Sequence, residues 1–186
     1  MTESTASNPS PHPPISLPGL RVGHATHSER PTGCTVWLWP DGTTGSVDVR
    51  GAAPGTRETD ALHPHNTVSE VHGLCLSGGS AFGLDAASGV MHWLAERGKG
   101  VQVGPARVPI VPSAVIFDLT VGDPQHWPSA AMGRAACEAA LPEGAPSGNW
   151  GAGAGATVGK LHGPDQAMRG GFGQCELRLG PLRVLA

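Results

Sequence analysis

GAGAGATVGK, Gly151 to Lys160, carries a run of nearly bare backbone into a lone ammonium group. Residues of this kind can do chemistry in more than one way. A phosphate loop of the form G-x-x-x-x-G-K-[ST], counted back from Gly159 and Lys160, needs glycine at 154 and a hydroxyl at 161. The chain has Ala154 and Leu161 there. A dinucleotide turn, G-x-G-x-x-A, is matched by Gly151, Gly153 and Ala156, but that turn must follow a strand and open a helix. PEGAPSGNW precedes it here, and in a chain of 28 glycines such a match is cheap. Two readings remain: a tight turn or ribbon crossed closely by another backbone, or N–H groups facing an oxyanion with Lys160 adding positive charge.

The other candidates are less specific. SGGSAFG (77–83) approaches a nucleophile turn, yet G-x-S-x-G would need glycine where Phe82 stands, so Ser80 reads as a helix N-cap. Asp118 follows the apolar run AVIF and is either a buried carboxylate satisfied by backbone donors or a site residue. Arg50, Arg57, Glu58 and Asp60 form a charged loop cluster, read first as surface ion pairs. The nine histidines show no metal-ligand spacing, and His24, His27, His63 and His65 fall in expected loops, so no metal is expected. Four cysteines, Cys34, Cys75, Cys137 and Cys175, are far apart with no CxxC pair; they read as buried free thiols in a reducing compartment, hence the cytoplasm. Net charge is −3 with no basic stripe, which argues against nucleic acid, and no apolar run approaches the roughly 18 residues of a membrane span.

These groups need elements to hold them. Residues 1–18 are rich in Ser and Pro and read as a disordered tail, with order starting at Gly19. CTVWLWP (34–40) reads as a strand, DGTTG (41–45) as a turn and SVDVRG (46–51) as the returning strand of a hairpin. Residues 51–64 read as a loop. VHGLCLS (71–77) reads as a strand broken at Gly78 and Gly79, followed by a helix with Ala81, Leu84, Ala87, Val90, Met91 and Leu94 on one face and Gly98 at its end. Gly83 and Gly89 inside that helix suggest close packing on another backbone. SAVIFDL (113–119) reads as a strand buried on both faces, 129–140 as a helix capped by Ser129, and 169–186 as two final strands. Strands followed by helices, jointed by glycine turns, indicate an α/β layered fold.

Several segments taken together resemble the DmpA-type aminopeptidases, also called the L-aminopeptidase/D-esterase family. They are GLRVGHAT (19–26), TGCTV (32–36), VDVRGAAPGTRETD (47–60), SGGSAFGLDAASGVM (77–91), VPIVPSAVIFDL (108–119), GAGAGATVGK (151–160) and RGGFG (169–173), in the family's order. The nylon-oligomer hydrolases look like close relatives within it. The resemblance implies a four-layered α/β/β/α sandwich, a homo-oligomer, and a precursor that cuts itself before a Ser or Thr. That residue then attacks an amide with its own freed amine as base. The implied substrate is a peptide or small amide, and no cofactor is implied.

Lys160 matches the position of an active-site lysine in the nylon-hydrolase branch, and Phe117 the position of a tyrosine. This sequence has no Tyr at all, so any bond from a phenol there is lost. Gly78, Gly79, Ser80, Gly153 and Gly155 are the expected substrate-binding positions. The resemblance also implies a C-terminal portion, with the nucleophile, an oxyanion asparagine and acidic partners, that does not follow Ala186 in this sequence. Residues 19–186 are thus expected to be the larger-subunit part of the domain, truncated and inactive alone. The alternative is a non-catalytic remnant or binding scaffold of the same fold.

Overall fold

The computed structural model describes residue 15 and residues 17–186. Alternating buried residues in β1 (Arg21–Thr26) and β2 (Gly33–Thr43) pair the two antiparallel, from Arg21 opposite Leu38 to Thr26 opposite Gly33. The other edge of β2 takes β4 (Val71–Ser77), also antiparallel. β4 pairs in parallel with β7 (Ser113–Val115), and β3 (Thr56–Arg57) closes the order β1-β2-β4-β7-β3. Three two-stranded ribbons lie outside this sheet: β5 (Val101–Val103) with β6 (Ala106–Val108), β8 (Thr157–Val158) with β9 (Met168–Arg169), and β10 (Glu176–Leu179) with β11 (Leu182–Leu185). The last ribbon is the expected pair of final strands.

Two helices, α1 (Ala86–Ala95) and α2 (Ala130–Glu138), cover one face of the sheet. Their core joins Val90 and Leu94 of α1 and Ala136 and Cys137 of α2 to Cys34, Val36, Leu38 and Cys75 on the strands. The helices cross at Gly89 and Gly133, where an added Cβ would run into the carbonyl oxygens of Ala130 and Ala86 respectively. Gly98, at φ +65°, ends the first helix, with its N–H on Ala95 O and that of Lys99 on Leu94 O. On the opposite face Leu20, Val22 and Ala145 pack with Trp37, Trp39, Phe172 and Leu185. Ile15 belongs to this cluster and its N–H donates to Glu143 O, so packing reaches back past Gly19 into the expected tail; the rest of that tail falls mainly outside the described residues. No helix among the described residues is long and apolar enough to cross a membrane.

Several local expectations fail, each for a physical reason. The hairpin across 41–45 does not form, because both edges of β2 are already taken by β1 and β4, so SVDVRG has no edge to join. β2 instead continues through Asp41, with a register shift between Leu38 and Thr43 and Gly42 at φ +84°. The strand expected over 113–119 stops at Val115: Ile116 N–H reaches Ser77 O, and the chain then turns away, leaving Phe117 63% exposed. The first helix starts at Ala86, since Ser80–Asp85 is a 3-10 turn with Ser80 at φ +53°, unlike the extended backbone of an N-cap. Ser129 does stand at the start of α2, but its side chain caps nothing, and Asp85 Oδ2 accepts the Ala130 N–H at 2.8 Å.

Candidate functional site: a glycine corner pinned by a buried carboxylate

Asp118 is only 4% exposed, so its oxygens need donors. Oδ2 accepts the Thr32 hydroxyl at 2.8 Å and Oδ1 accepts the Gly79 N–H at 2.6 Å. Three chain segments therefore meet on one carboxylate: the loop before β2, the corner after β4, and the segment after β7. The glycine ribbon makes a fourth. A Cβ on Gly78 or on Gly155 would collide with Asp118 Oδ2, which is why both positions need bare backbone. Of the two readings left open for Asp118, the carboxylate held by internal donors is the one observed, and those donors belong to the candidate site.

The ribbon itself is a buried 3-10 turn, Gly151–Gly153, followed by Ala154 and Gly155. Gly151 sits at φ +54°. Its N–H goes to Thr26 Oγ1 at 2.8 Å, and the next, from Ala152, to Thr35 Oγ1 at 3.0 Å. Gly153 lies against the backbone of Gly171 and Phe172, with no room for a Cβ. The reading of a ribbon crossed closely by another backbone is correct for this part. The reading of open N–H donors is largely overturned. Gly153, Ala154 and Ala156 donate within the turn, and Gly78 and Ser80 donate to Gly33 O and Ile116 O. The Gly155 N–H alone among those of residues 151–156 has no partner among the described residues.

The remaining expected site residues divide. Gly78, Gly79, Ser80 and Gly155 gather at Asp118, and Phe117 adjoins it in sequence with its ring exposed. Lys160 follows Gly159, which is left-handed at φ +80°; its exposed Nζ donates to Thr157 O at 2.6 Å. No hydrogen bond or ion pair joins it to the Asp118 corner among the described residues. The charged loop is not an ion-pair cluster. Arg57 reaches Leu84 O and Ser88 Oγ as a brace to the helix side, while Arg50 pairs with Asp48 in solvent. A cavity of about 500 Å³ opens elsewhere, between Trp39, Val49, Leu62, Val71 and Leu74; none of the corner residues line it. Its wall also carries the hydroxyls of Thr43, Thr56, Thr59 and Ser113 and the side chain of Arg50, so it is a second concave region, separate from the corner.

Sequence reasoning missed the part played by His24, placing it in a loop. It lies on β1, with Nε2 3.1 Å from Pro146 O and Nδ1 2.9 Å from Thr35 Oγ1. A carbonyl can only accept, so Nε2 carries the hydrogen and Nδ1 accepts the Thr35 hydroxyl. The ribbon is thus tied to β1 and β2 through Ala152 N–H, Thr35 and a neutral imidazole. Burial pushes the His24 pKa down, partly opposed by the Pro146 bond. The unfolded chain then takes up this proton more readily, so stability falls as pH drops below about 6.5. His72, also lowered chiefly by burial, adds to the loss with the same sign. Thermal melts at pH 7 and pH 5 should show a smaller acid loss for His24→Asn than for the unaltered chain; equal losses would mean His24 charges without penalty.

Comparison with known proteins places this geometry. The model of peptidase family S58 matches residues 15–173. A protein of Mycobacterium tuberculosis (strain ATCC 25618 / H37Rv), described as an uncharacterized aminopeptidase, is 52% identical over 130 residues, covering 66% of this chain and 38% of that one. The 6-aminohexanoate-oligomer endohydrolase of Kocuria sp. (strain KY2) is 40% identical over 172 residues, covering 92% of this chain and 46% of the relative. The chain therefore spans less than half the length of these two relatives. Among solved structures, the L-aminopeptidase D-Ala-esterase/amidase of Ochrobactrum anthropi, described as a variant of the Ntn hydrolase fold, superposes with a TM-score of 0.66 at 16% identity. That match covers 95% of this chain and 53% of the other. A Burkholderia sp. beta-aminopeptidase gives 0.55 at 20%, over 81% and 44%. These likenesses give the fold.

Proposed function

Because this chain belongs to peptidase family S58, we propose that it forms the substrate-binding part of an amide-bond hydrolase of the N-terminal-nucleophile type, acting on peptides or small amides through an acyl-enzyme. The observation that carries the reading is the corner at Asp118, where Gly78, Gly79 and Gly155 give up their side chains to bring three segments together. In this reading Gly78, Gly79, Ser80, Gly153 and Gly155 shape the pocket. Phe117 lines it with an apolar ring, and Lys160 supplies positive charge at its rim once its ammonium leaves Thr157 O. None of the 186 residues is assigned as nucleophile. We further place the protein in the cytoplasm as a homo-oligomer; the free thiols of Cys34, Cys75 and Cys137 support the reducing compartment.

The test is to offer the chain the linear 6-aminohexanoate dimer and leucine p-nitroanilide. We expect saturable binding, followed by tryptophan fluorescence, with no release of product. Absence of binding by either amide would remove the substrate-pocket reading. Protein-dependent release of nitroaniline would put the nucleophile within these residues and correct the division of labour.

A further inference from the structure

SVDVRG (46–51) carries the alternation of a strand, yet no strand of the fold pairs with it. Among the described residues, no backbone N–H or carbonyl from 44 to 54 takes part in a hydrogen bond. Residues 46–54 are all exposed, Val47 at 44% and Val49 at 43%. Unpaired backbone beside exposed valines is a template for strand addition. The side chains support the same conformation. Arg50 reaches Asp48 Oδ2 through Nε at 2.7 Å and through Nη2 at 2.6 Å. Side chains two residues apart meet on one side of an extended chain and not on a helix. Asp48 and Arg50 therefore share one side, and alternation assigns Val47 and Val49 to the other.

Charge then decides what can lie alongside. A closed pair of identical chains has a two-fold axis, so two copies of one strand at that axis run antiparallel about a single point. An axis at Asp48 would set Asp48 against itself. An axis between Asp48 and Val49 would put Val47 opposite Arg50 and Asp48 opposite Val49. Only an axis at Val49 sets Asp48 of each copy opposite Arg50 of the other, with Val49 facing Val49. Val47 then falls opposite Gly51, where an added Cβ would have nothing within 4 Å, so that position is open to an incoming side chain.

We infer that residues 46–51 are a contact surface for a second copy of this chain, the two segments pairing antiparallel about Val49. This goes beyond the homo-oligomer proposed above by giving it a contact and a register. Backbone hydrogen bonds and the facing valines supply the attraction. Ion pairs as exposed as Asp48–Arg50, at 66% and 85%, contribute little by themselves, and each copy exchanges an internal pair for an external one. Their part is to fix the register and exclude like-charge alignments. A contact of this size is small, so association is weak and concentration-dependent.

The experiment reads mass by sedimentation velocity over a concentration series at low salt, for the unaltered chain, Asp48→Arg, Arg50→Asp and the double change. The unaltered chain should move from one-copy to two-copy mass as concentration rises. Asp48→Arg sets arginine against arginine twice, and Arg50→Asp sets aspartate against aspartate twice, so each should associate about tenfold more weakly. Mixed in equal amounts, these two variants should pair with each other, because one presents only arginines and the other only aspartates. The double change restores reciprocal opposite charges and should associate like the unaltered chain. Both positions are exposed, so melting temperatures should not separate the variants. Single variants that associate as tightly as the unaltered chain overturn the contact and leave a homo-oligomer formed elsewhere. A mixture no heavier than its components overturns the contact as well. One-copy mass for the unaltered chain throughout the series overturns both the contact and the homo-oligomer.

Discussion

Gly89→Ala and Gly133→Ala are each expected to destabilise the protein by about 3 kcal/mol, the upper end of what overpacking a close-packed interior costs. At this chain length that is a fall of roughly 6–12 °C in melting temperature. The two glycines face each other across the helix crossing. A methyl on Gly89 would meet the Ala130 carbonyl and the Arg134 nitrogen; one on Gly133 would meet the carbonyl and Cα of Ala86. All these are backbone atoms, so no side chain can turn aside and the helices themselves must separate. Separation would open the core over Val36, Leu38 and Cys75 that the helices cover. The usual gain of an alanine in a helix, up to about 1 kcal/mol over glycine, works in the opposite direction and is smaller. Gly173→Ala is the control, since nothing lies within 4 Å of its added Cβ and its backbone is not left-handed. It should stay within about 0.5 kcal/mol. If Gly89→Ala melts with Gly173→Ala, the helices are further apart than described.

The same glycines show what a sequence can and cannot reveal. Of the face that periodicity predicts, Ala87, Val90 and Leu94 are buried on α1 and Met91 is half-buried, whereas Leu84 is half-buried and Ala81 exposed because both lie in the 3-10 turn before the helix. Gly89 was readable as a close-packing position, but its partner Gly133 was not, because nothing local says which helix crosses it. The hairpin expected after Pro40 failed for a related reason. DGTTG is sound turn chemistry, yet strand pairing is decided by which edges are free, and β1 and β4 had already occupied both edges of β2. At the candidate site, the run 151–160 was legible as bare backbone with a purpose. That Gly78 and Gly155 are bare for the sake of one carboxylate 37 or more residues away in sequence was not. Asp118 stood out as a carboxylate at the end of an apolar run, and only packing could tell which donors it meets. His24 gave no signal, since its partners Thr35 and Pro146 lie on other segments.

Asp118→Ala is expected to have the other large effect, and Asp118→Asn to separate charge from geometry. Removing the carboxylate leaves the Gly79 N–H buried without an acceptor and the Thr32 hydroxyl, itself buried, without its partner. Hydrogen bonds to a charged group contribute about 1.5–3 kcal/mol each, so losing both should cost about 4 kcal/mol. Asparagine keeps one acceptor. Gly79 can only donate, so the amide oxygen must face it and the amide NH2 must face Thr32, whose hydroxyl is free to rotate and accept. Asp118→Asn should therefore keep the corner in place at a cost of about 1–2 kcal/mol, the difference between charged and neutral hydrogen bonds. Dimer binding should survive in Asp118→Asn to within about threefold and vanish in Asp118→Ala, because the Gly79–Ser80 corner then loses its anchor. Thr32→Val supplies the independent check: combined with Asp118→Ala it should destabilise by at least about 1 kcal/mol less than the two single changes added together, as expected for residues in direct contact. Strict additivity would mean the Thr32 hydroxyl and Asp118 are not bonded. Equal damage from Asn and Ala would mean that negative charge, rather than an acceptor facing Gly79, holds the corner.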